Sequence, residues 1–184
     1  MEYEIKIQNT PNPNALKFIM NVPVIASGNA TFKSASERES TPLAARLFDL
    51  TGVTEVFFFD NYITVTQDGS ADWDTLEGQI KKTISQNFDN HDPDITLDNK
   101  PSVATPKTDN EDINKINEIL DRTVRPYLQM DGGDLQVLAL ENNALKISYQ
   151  GACGSCPSAT MGTMRAVENI LRNEFNPEIT VQIG

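Results

Sequence analysis

At 184 residues, with 39% apolar and 22% charged side chains, the chain has the make-up of a globular protein of one domain or two small ones, and no apolar run approaches a membrane span. A net charge of −11 without any basic run weighs against nucleic acid as a partner, because neutralising phosphates needs clustered Lys or Arg. The charge is uneven: segment 1–88 holds 7 basic and 11 acidic residues, segment 89–112 holds 2 and 7, and segment 113–184 holds 6 and 8.

The chain opens on Met1-Glu2-Tyr3-Glu4, which is acidic and has no apolar signal core, so a cytoplasmic location in a reducing compartment is expected, with no membrane partner. Tyr3, Ile5 and Ile7 alternate as on a strand, and Thr10-Pro11-Asn12-Pro13-Asn14 is a turn cluster. Ala15 to Met20 reads as a second strand, and Val22 to Phe32 holds another. Thr41-Pro42 opens a helix through Leu43, Leu47 and Leu50, with Gly52 after its end. Val53 to Phe59 is a strand, and Asp60-Asn61 turns it into Tyr62, Thr64 and Thr66. Asp72 caps a helix with Trp73, Leu76, Ile80, Ile84 and Phe88 on one side. Residues 1–88 thus predict an α+β domain with a mostly antiparallel sheet.

From Asp89 the composition changes. Pro93, Pro101 and Pro106, with repeated Asp and Asn and no apolar period, read as an acidic flexible linker over 89–107. The single histidine, His91, falls in it and is expected to be solvated. Residues 108–184 predict a second small α+β domain of order α-β-β-α-β. Thr108 and Glu111 have capping-box spacing. Ile113, Ile116, Leu120, Val124, Tyr127 and Leu128 form a helical stripe that ends at Asp131-Gly132-Gly133-Asp134. Leu135 to Leu140 and Leu145 to Tyr149 form a hairpin about Asn142-Asn143. Pro157 suits the first position of a helix bearing Met161, Met164, Val167, Leu171 and Phe175, and Ile179, Val181 and Ile183 close with a strand.

Between the hairpin and that helix lies Gly151-Ala152-Cys153-Gly154-Ser155-Cys156, which holds the only two cysteines. A thiolate is favoured near a helix N-terminus, and Gly151 and Gly154 let the backbone approach an inorganic ion. Several chemistries fit. A thiol–disulfide oxidoreductase would place a CxxC here, although the segment is short for the thioredoxin fold and its strand pair is a hairpin. Zinc wants four ligands and so does an iron–sulfur cluster; one CxxC supplies two, and two copies across a two-fold axis supply four, giving a zinc-bridged or a cluster-bridged dimer. Two unligated surface thiols are the plain alternative.

The residues also resemble a known family. Arg125-Pro126-Tyr127-Leu128, Met130-Asp131-Gly132-Gly133-Asp134 and Tyr149-Gln150-Gly151-Ala152-Cys153-Gly154-Ser155-Cys156-Pro157-Ser158, continuing to Thr160-Met161 and Glu168, are similar to the C-terminal domain of NifU-like iron–sulfur assembly proteins. Thr10-Pro11-Asn12-Pro13-Asn14-Ala15-Leu16-Lys17-Phe18 resembles the domain that precedes it in Nfu proteins. The resemblance implies a scaffold or carrier rather than an enzyme. It would hold a [4Fe–4S] cluster between two protomers through Cys153 and Cys156, take it from an upstream donor and pass it to apo iron–sulfur proteins. No cysteine precedes Cys153, so the separate Cys-bearing scaffold domain of longer family members is absent from this sequence. Asp131 and Asp134 are expected as turn and cap residues, Met161 and Met164 as core packing, and segment 1–88 as the partner-recognition domain.

Overall fold

The computed structural model describes residues 3–33, 41–95, 111–154 and 157–184, the side chains of 157–159 excepted. Thr108, the expected linker beyond residue 95, and Cys156 lie outside them. The chain divides into two compact units, Met1–Ala104 and Thr105–Gly184, and each mixes helices with a sheet as the sequence predicts.

The first unit runs β1 (Ile5–Asn9), β2 (Ala15–Met20), β3 (Asn29–Phe32), α1 (Pro42–Phe48), β4 (Val53–Phe59), β5 (Tyr62–Gln67) and α2 (Trp73–Asn87), then a 3-10 turn over Phe88–Asn90. Its sheet has the order β1-β2-β5-β4-β3 and every pair is antiparallel. Period-two alternation sends Leu16, Phe18, Val56, Phe58, Ile63 and Val65 to one face, where they pack with Leu43 and Leu47 of α1 and Leu76, Ile80 and Ile84 of α2. The strand expected across Val22–Phe32 is confined to its last four residues. Pro23 has no N–H to give a ladder, and Val24 and Ile25 instead donate to Asp60 O at 2.7 and 3.1 Å. Asp72 sits at the N-cap of α2 without a side-chain bond; its carbonyl takes Leu76 N at 2.9 Å.

The acidic stretch also departs from expectation at its start. His91 is not solvated: its Nε2 donates to Val24 O at 2.6 Å and its ring stands edge-on to Phe58 with centroids 5.5 Å apart. Pro93 O accepts from Ala26 N at 2.9 Å, and Ile95 packs on the core. Proline and acid content masks this docking because only a few apolar side chains make it.

The second unit runs α3 (Glu111–Thr123), α4 (Arg125–Met130), β6 (Gly133–Glu141), β7 (Ala144–Gly151), α5 (Pro157–Glu174) and β8 (Thr180–Ile183). The one helix expected before β6 is two, with Val124 between them at φ −112°. Pro126 causes the break, since it lacks an N–H and its ring would strike the carbonyl four residues back. The break rotates the apolar stripe, so Leu128 stays buried while Tyr127, expected on the same face, is exposed. β6 and β7 form the expected hairpin, with Asn142 and Asn143 both left-handed at φ 49° and 64°. β8 pairs with β7 in parallel, from Ala144↔Thr180 to Ile147↔Ile183. β7, α5 and β8 therefore make a crossover, and the cysteine loop is its entry. Ile116, Leu120, Leu135, Leu145, Ile147, Val167, Leu171 and Val181 form the core. Met164 packs against it as expected, but Met161, nearer the start of α5 and at the edge of the stripe that Met164, Val167 and Leu171 form, is 49% exposed.

Candidate functional site

Cys153 lies in the turn that leaves β7, half-buried and packed against the core of the second unit. Backbone geometry fixes it. Gly151 ends the strand at φ 60°, a conformation that suits glycine. Gly154 N returns to Gly151 O at 3.0 Å, and Ala152 N donates to Gly132 O at 3.2 Å. Thr160, one turn into α5, donates its hydroxyl to Cys153 O at 3.1 Å and so ties the loop to the helix.

The floor under Cys153 is Gly133, the first residue of β6, paired with Gly151 across the ladder. A methyl group built on Gly133 would stand 2.6 Å from Gln150 O, 2.7 Å from Cys153 Sγ and 3.0 Å from Cys153 N. The thiol thus occupies space that only a glycine leaves. Gly133 was visible in the sequence within the Asp131–Asp134 motif, but its contact with the cysteine is a product of strand pairing.

Asp131 is the C-cap of α4, as expected. Asp134 has a larger part than a turn residue. Its Oδ1 lies 3.6 Å from Arg125 Nε and accepts Leu135 N at 2.7 Å, both side chains being buried. Arg125 also donates to Leu135 O at 3.3 Å, to Asn117 Oδ1 at 3.1 Å and to Asp121. This network clamps the start of β6 to α3 and α4, with the acidic group neutralised and turned to the protein rather than to the loop.

Beneath the loop, Tyr149 on β7 is 3% exposed, and its hydroxyl has no hydrogen-bond partner among the described residues. Burial, and next the charge of Cys153, push the phenol well above the usual tyrosine range, so it stays protonated. α5 begins at Pro157, just past the second cysteine, and has no acidic residue in its first turn. Its N–H groups and dipole favour negative charge at the loop, by about 0.3–1 kcal/mol for an exposed anion. Among the described residues no group of three or more His, Cys, Asp or Glu is gathered to hold a metal ion. A metal at Cys153 therefore needs donors from elsewhere, and the sequence offers Cys156, which lies outside the described residues, and the same pair from another chain. The first unit has no cysteine. Its Thr10–Asn14 loop is rigid: Thr10 donates to Ala15 O at 2.9 Å and accepts from Asn12 N at 3.2 Å, and Trp73 Nε1 donates to Pro13 O at 2.9 Å. No described helix is long and apolar enough to cross a membrane.

Comparison with known proteins accounts for both units. Residues 5–91 match the family described as scaffold protein Nfu/NifU N terminal, and residues 116–182 match the NifU-like domain. The human protein named NFU1 iron-sulfur cluster scaffold homolog, mitochondrial, is 36% identical over 176 residues, spanning 95% of this chain and 69% of that protein. The Drosophila persimilis protein of the same name is 36% identical over 178 residues, spanning 95% of this chain but only 62% of its own length. The solution structure of a NifU-like protein from Saccharomyces cerevisiae aligns with 53% of this chain and 87% of its own, at 23% identity and a TM-score of 0.45.

Proposed function

The chain belongs to the family of NifU-like proteins that carry an Nfu N-terminal domain, and from that premise we propose that it is an iron–sulfur cluster scaffold and carrier, not an enzyme. The observation that carries the reading is the loop after β7. It presents Cys153 from a fixed backbone beside Gly133, at the N-terminus of a long helix, in a chain whose relatives are named as cluster scaffolds. In this reading the cargo is a [4Fe–4S] cluster held between two protomers by Cys153 and Cys156 of each. Two thiolates per chain make a full set of four in a homodimer. Apolar side chains left exposed near the loop suit the approach of the second copy. Met130 is two residues before Gly132, which bonds the loop, and Met161 follows Thr160, which does the same.

The cluster arrives from an upstream donor and leaves for apo iron–sulfur proteins by stepwise ligand exchange, each incoming cysteine displacing one thiolate. Residues 1–95 recognise partners through the rigid Thr10–Asn14 loop, the stretch 96–107 links, and 108–184 binds cargo; a tether raises the local concentration of cluster at a docked acceptor. The thiols need a reducing compartment, which the cytoplasm provides; the relatives' names place those proteins in mitochondria. Anaerobic reconstitution followed by Mössbauer spectroscopy and sedimentation tests the reading. The expected result is one [4Fe–4S] cluster per dimer, lost in Cys153→Ser and in Cys156→Ser. Full iron and sulfide in either variant, or a loaded monomer, would overturn it.

A further inference from the structure

The chain carries a net charge of −11, which works against the pairing of two copies unless they meet through a surface that is uncharged or complementary in charge. The surroundings of the thiol loop supply such a surface. No charged residue falls between Ile147 and Met164, or between Pro126 and Met130. The loop is held between two flanks. The end of α4 reaches it through the Ala152–Gly132 bond, and the first turns of α5 reach it through Thr160. Large apolar side chains stand exposed on both: Tyr127 at 69% and Met130 at 65% on the α4 flank, and Met161 at 49% on the α5 flank. Tyr127 and Met130 are three residues apart and share one side of their helix. Aromatic side chains and methionine are the types that protein interfaces favour.

Each flank also carries one exposed charge. Asp131 directly follows Met130, and Arg165 lies one turn beyond Met161, on the same side of α5. Neither forms an ion pair with any described residue. The two charges are opposite in sign and sit on opposite flanks. In an isologous pair, whatever one copy's α4 flank touches on its partner is touched in return by the partner's α4 flank. Like flank on like flank would set Asp131 against the partner's Asp131. Crossed flanks set Asp131 against the partner's Arg165, and symmetry makes that contact twice.

We propose that the exposed face of α4 is the surface on which a second copy docks, with Tyr127 and Met130 lying against the partner's Met161 and Asp131 paired with the partner's Arg165. This rests on the scaffold reading, which needs a second chain to complete four thiolates. It adds which surface brings that chain in and how the two copies are oriented. The apolar contact supplies the attraction, and the charges select the crossed arrangement.

The test is charge reversal in the full-length protein, reconstituted anaerobically with iron and sulfide. Asp131→Lys, Arg165→Glu and the double variant are compared with the parent, and the dissociation constant of the loaded dimer is measured by sedimentation across a dilution series. Each single reversal turns two attractive contacts per dimer into repulsive ones, which weakens the dimer about tenfold at low salt. The double reversal restores it to within about twofold, a recovery that a folding defect could not produce. The differences shrink at about 1 M salt, where exposed charges are screened. Single variants as tight as the parent overturn the proposal, and so does a double variant no tighter than the singles; in both cases a loaded parent dimer leaves the scaffold reading standing. If the reversals leave the dimer unchanged but slow transfer to an apo iron–sulfur acceptor, the face belongs to the acceptor and the proposal falls equally. A parent that stays monomeric when loaded, or that binds no cluster, overturns the scaffold reading and this inference with it.

Discussion

Replacing Gly133 by alanine tests whether the glycine pair in the second unit is what holds the ligand loop in place. Relaxed contacts between non-bonded heavy atoms lie at about 3.5–4.0 Å. The new methyl would stand 2.7 Å from Cys153 Sγ and 2.6 Å from Gln150 O, so both are short by about an ångström. Neither neighbour can yield cheaply. Gln150 O is backbone within the β6–β7 ladder, and Cys153 is fixed through Thr160 and through the Ala152–Gly132 bond. Overpacking of this kind costs about 1–3 kcal/mol, and the loss of unfolded-chain freedom on going from glycine to alanine returns about 0.4–1 kcal/mol. A net destabilisation of about 1–2 kcal/mol is expected, together with a loss of iron bound on reconstitution, because the loop relieves the clash by moving its sulfur. Urea unfolding and iron analysis of the full-length variant measure both. Gly162→Ala is the control, since nothing lies within 4 Å of the added methyl on α5. If Gly133→Ala matched that control in stability and in iron content, the account of the loop would be refuted.

The control carries its own expectation: Gly162→Ala, and likewise Gly78→Ala on α2, where the methyl also meets open space, should each raise stability by about 0.8–1 kcal/mol in thermal or urea melts through helix propensity alone. Arg125→Ala should destabilise the second unit by about 3 kcal/mol or more, because Asp134 stays buried without its cation, and Asp134→Asn added to it should recover part of the loss in the same melts. Acidification acts on the first unit through His91, whose pKa is lowered mainly by burial, against the Val24 bond and Asp92. The folded state favours the neutral ring, so this contribution is complete above the unfolded value of about 6.5 and is lost as pH falls below it. Stability of the parent between pH 7 and 5.5 should decline more steeply than that of His91→Gln, and parallel curves would show that the histidine is not coupled to folding.

What the sequence made legible was local. The Asn142-Asn143 hairpin, the strands Ala15–Met20 and Val53–Phe59, and the start of α5 at Pro157 each follow from a few adjacent residues, and the structure places them as read. The CxxC stood out because its chemistry is scarce and its loop is glycine-rich. What stayed hidden depends on contacts across the chain. Pro126 was in plain view, yet the apolar stripe runs through it, and only the split into α3 and α4 exposes Tyr127. Residues 91–95 read as linker because docking by one imidazole, one proline carbonyl and one isoleucine leaves no periodic pattern. The parallel pairing of β8 has no local signature, since either direction would bury Val181.

The same distinction explains why two stretches of the second unit act as one device. Gly133 and Gly151 are separated in the chain by a whole hairpin, and the ladder sets them opposite each other at its open end. One leaves room for the cysteine sulfur; the other turns the chain into the loop that carries it. Asp134 follows the first glycine directly and is anchored to Arg125, so the strand start that supports the sulfur is itself held by a buried ion pair to α4. A shift of β6 by one residue would replace glycine with Asp134 under the loop and turn each β6 side chain to the opposite face. The buried pair makes that slip costly, because it would pull a carboxylate from its guanidinium. The acid is thus better understood as a register lock for the thiol site than as a ligand within it, and loss of the lock should be felt at Cys153 before it is felt in the distant β8.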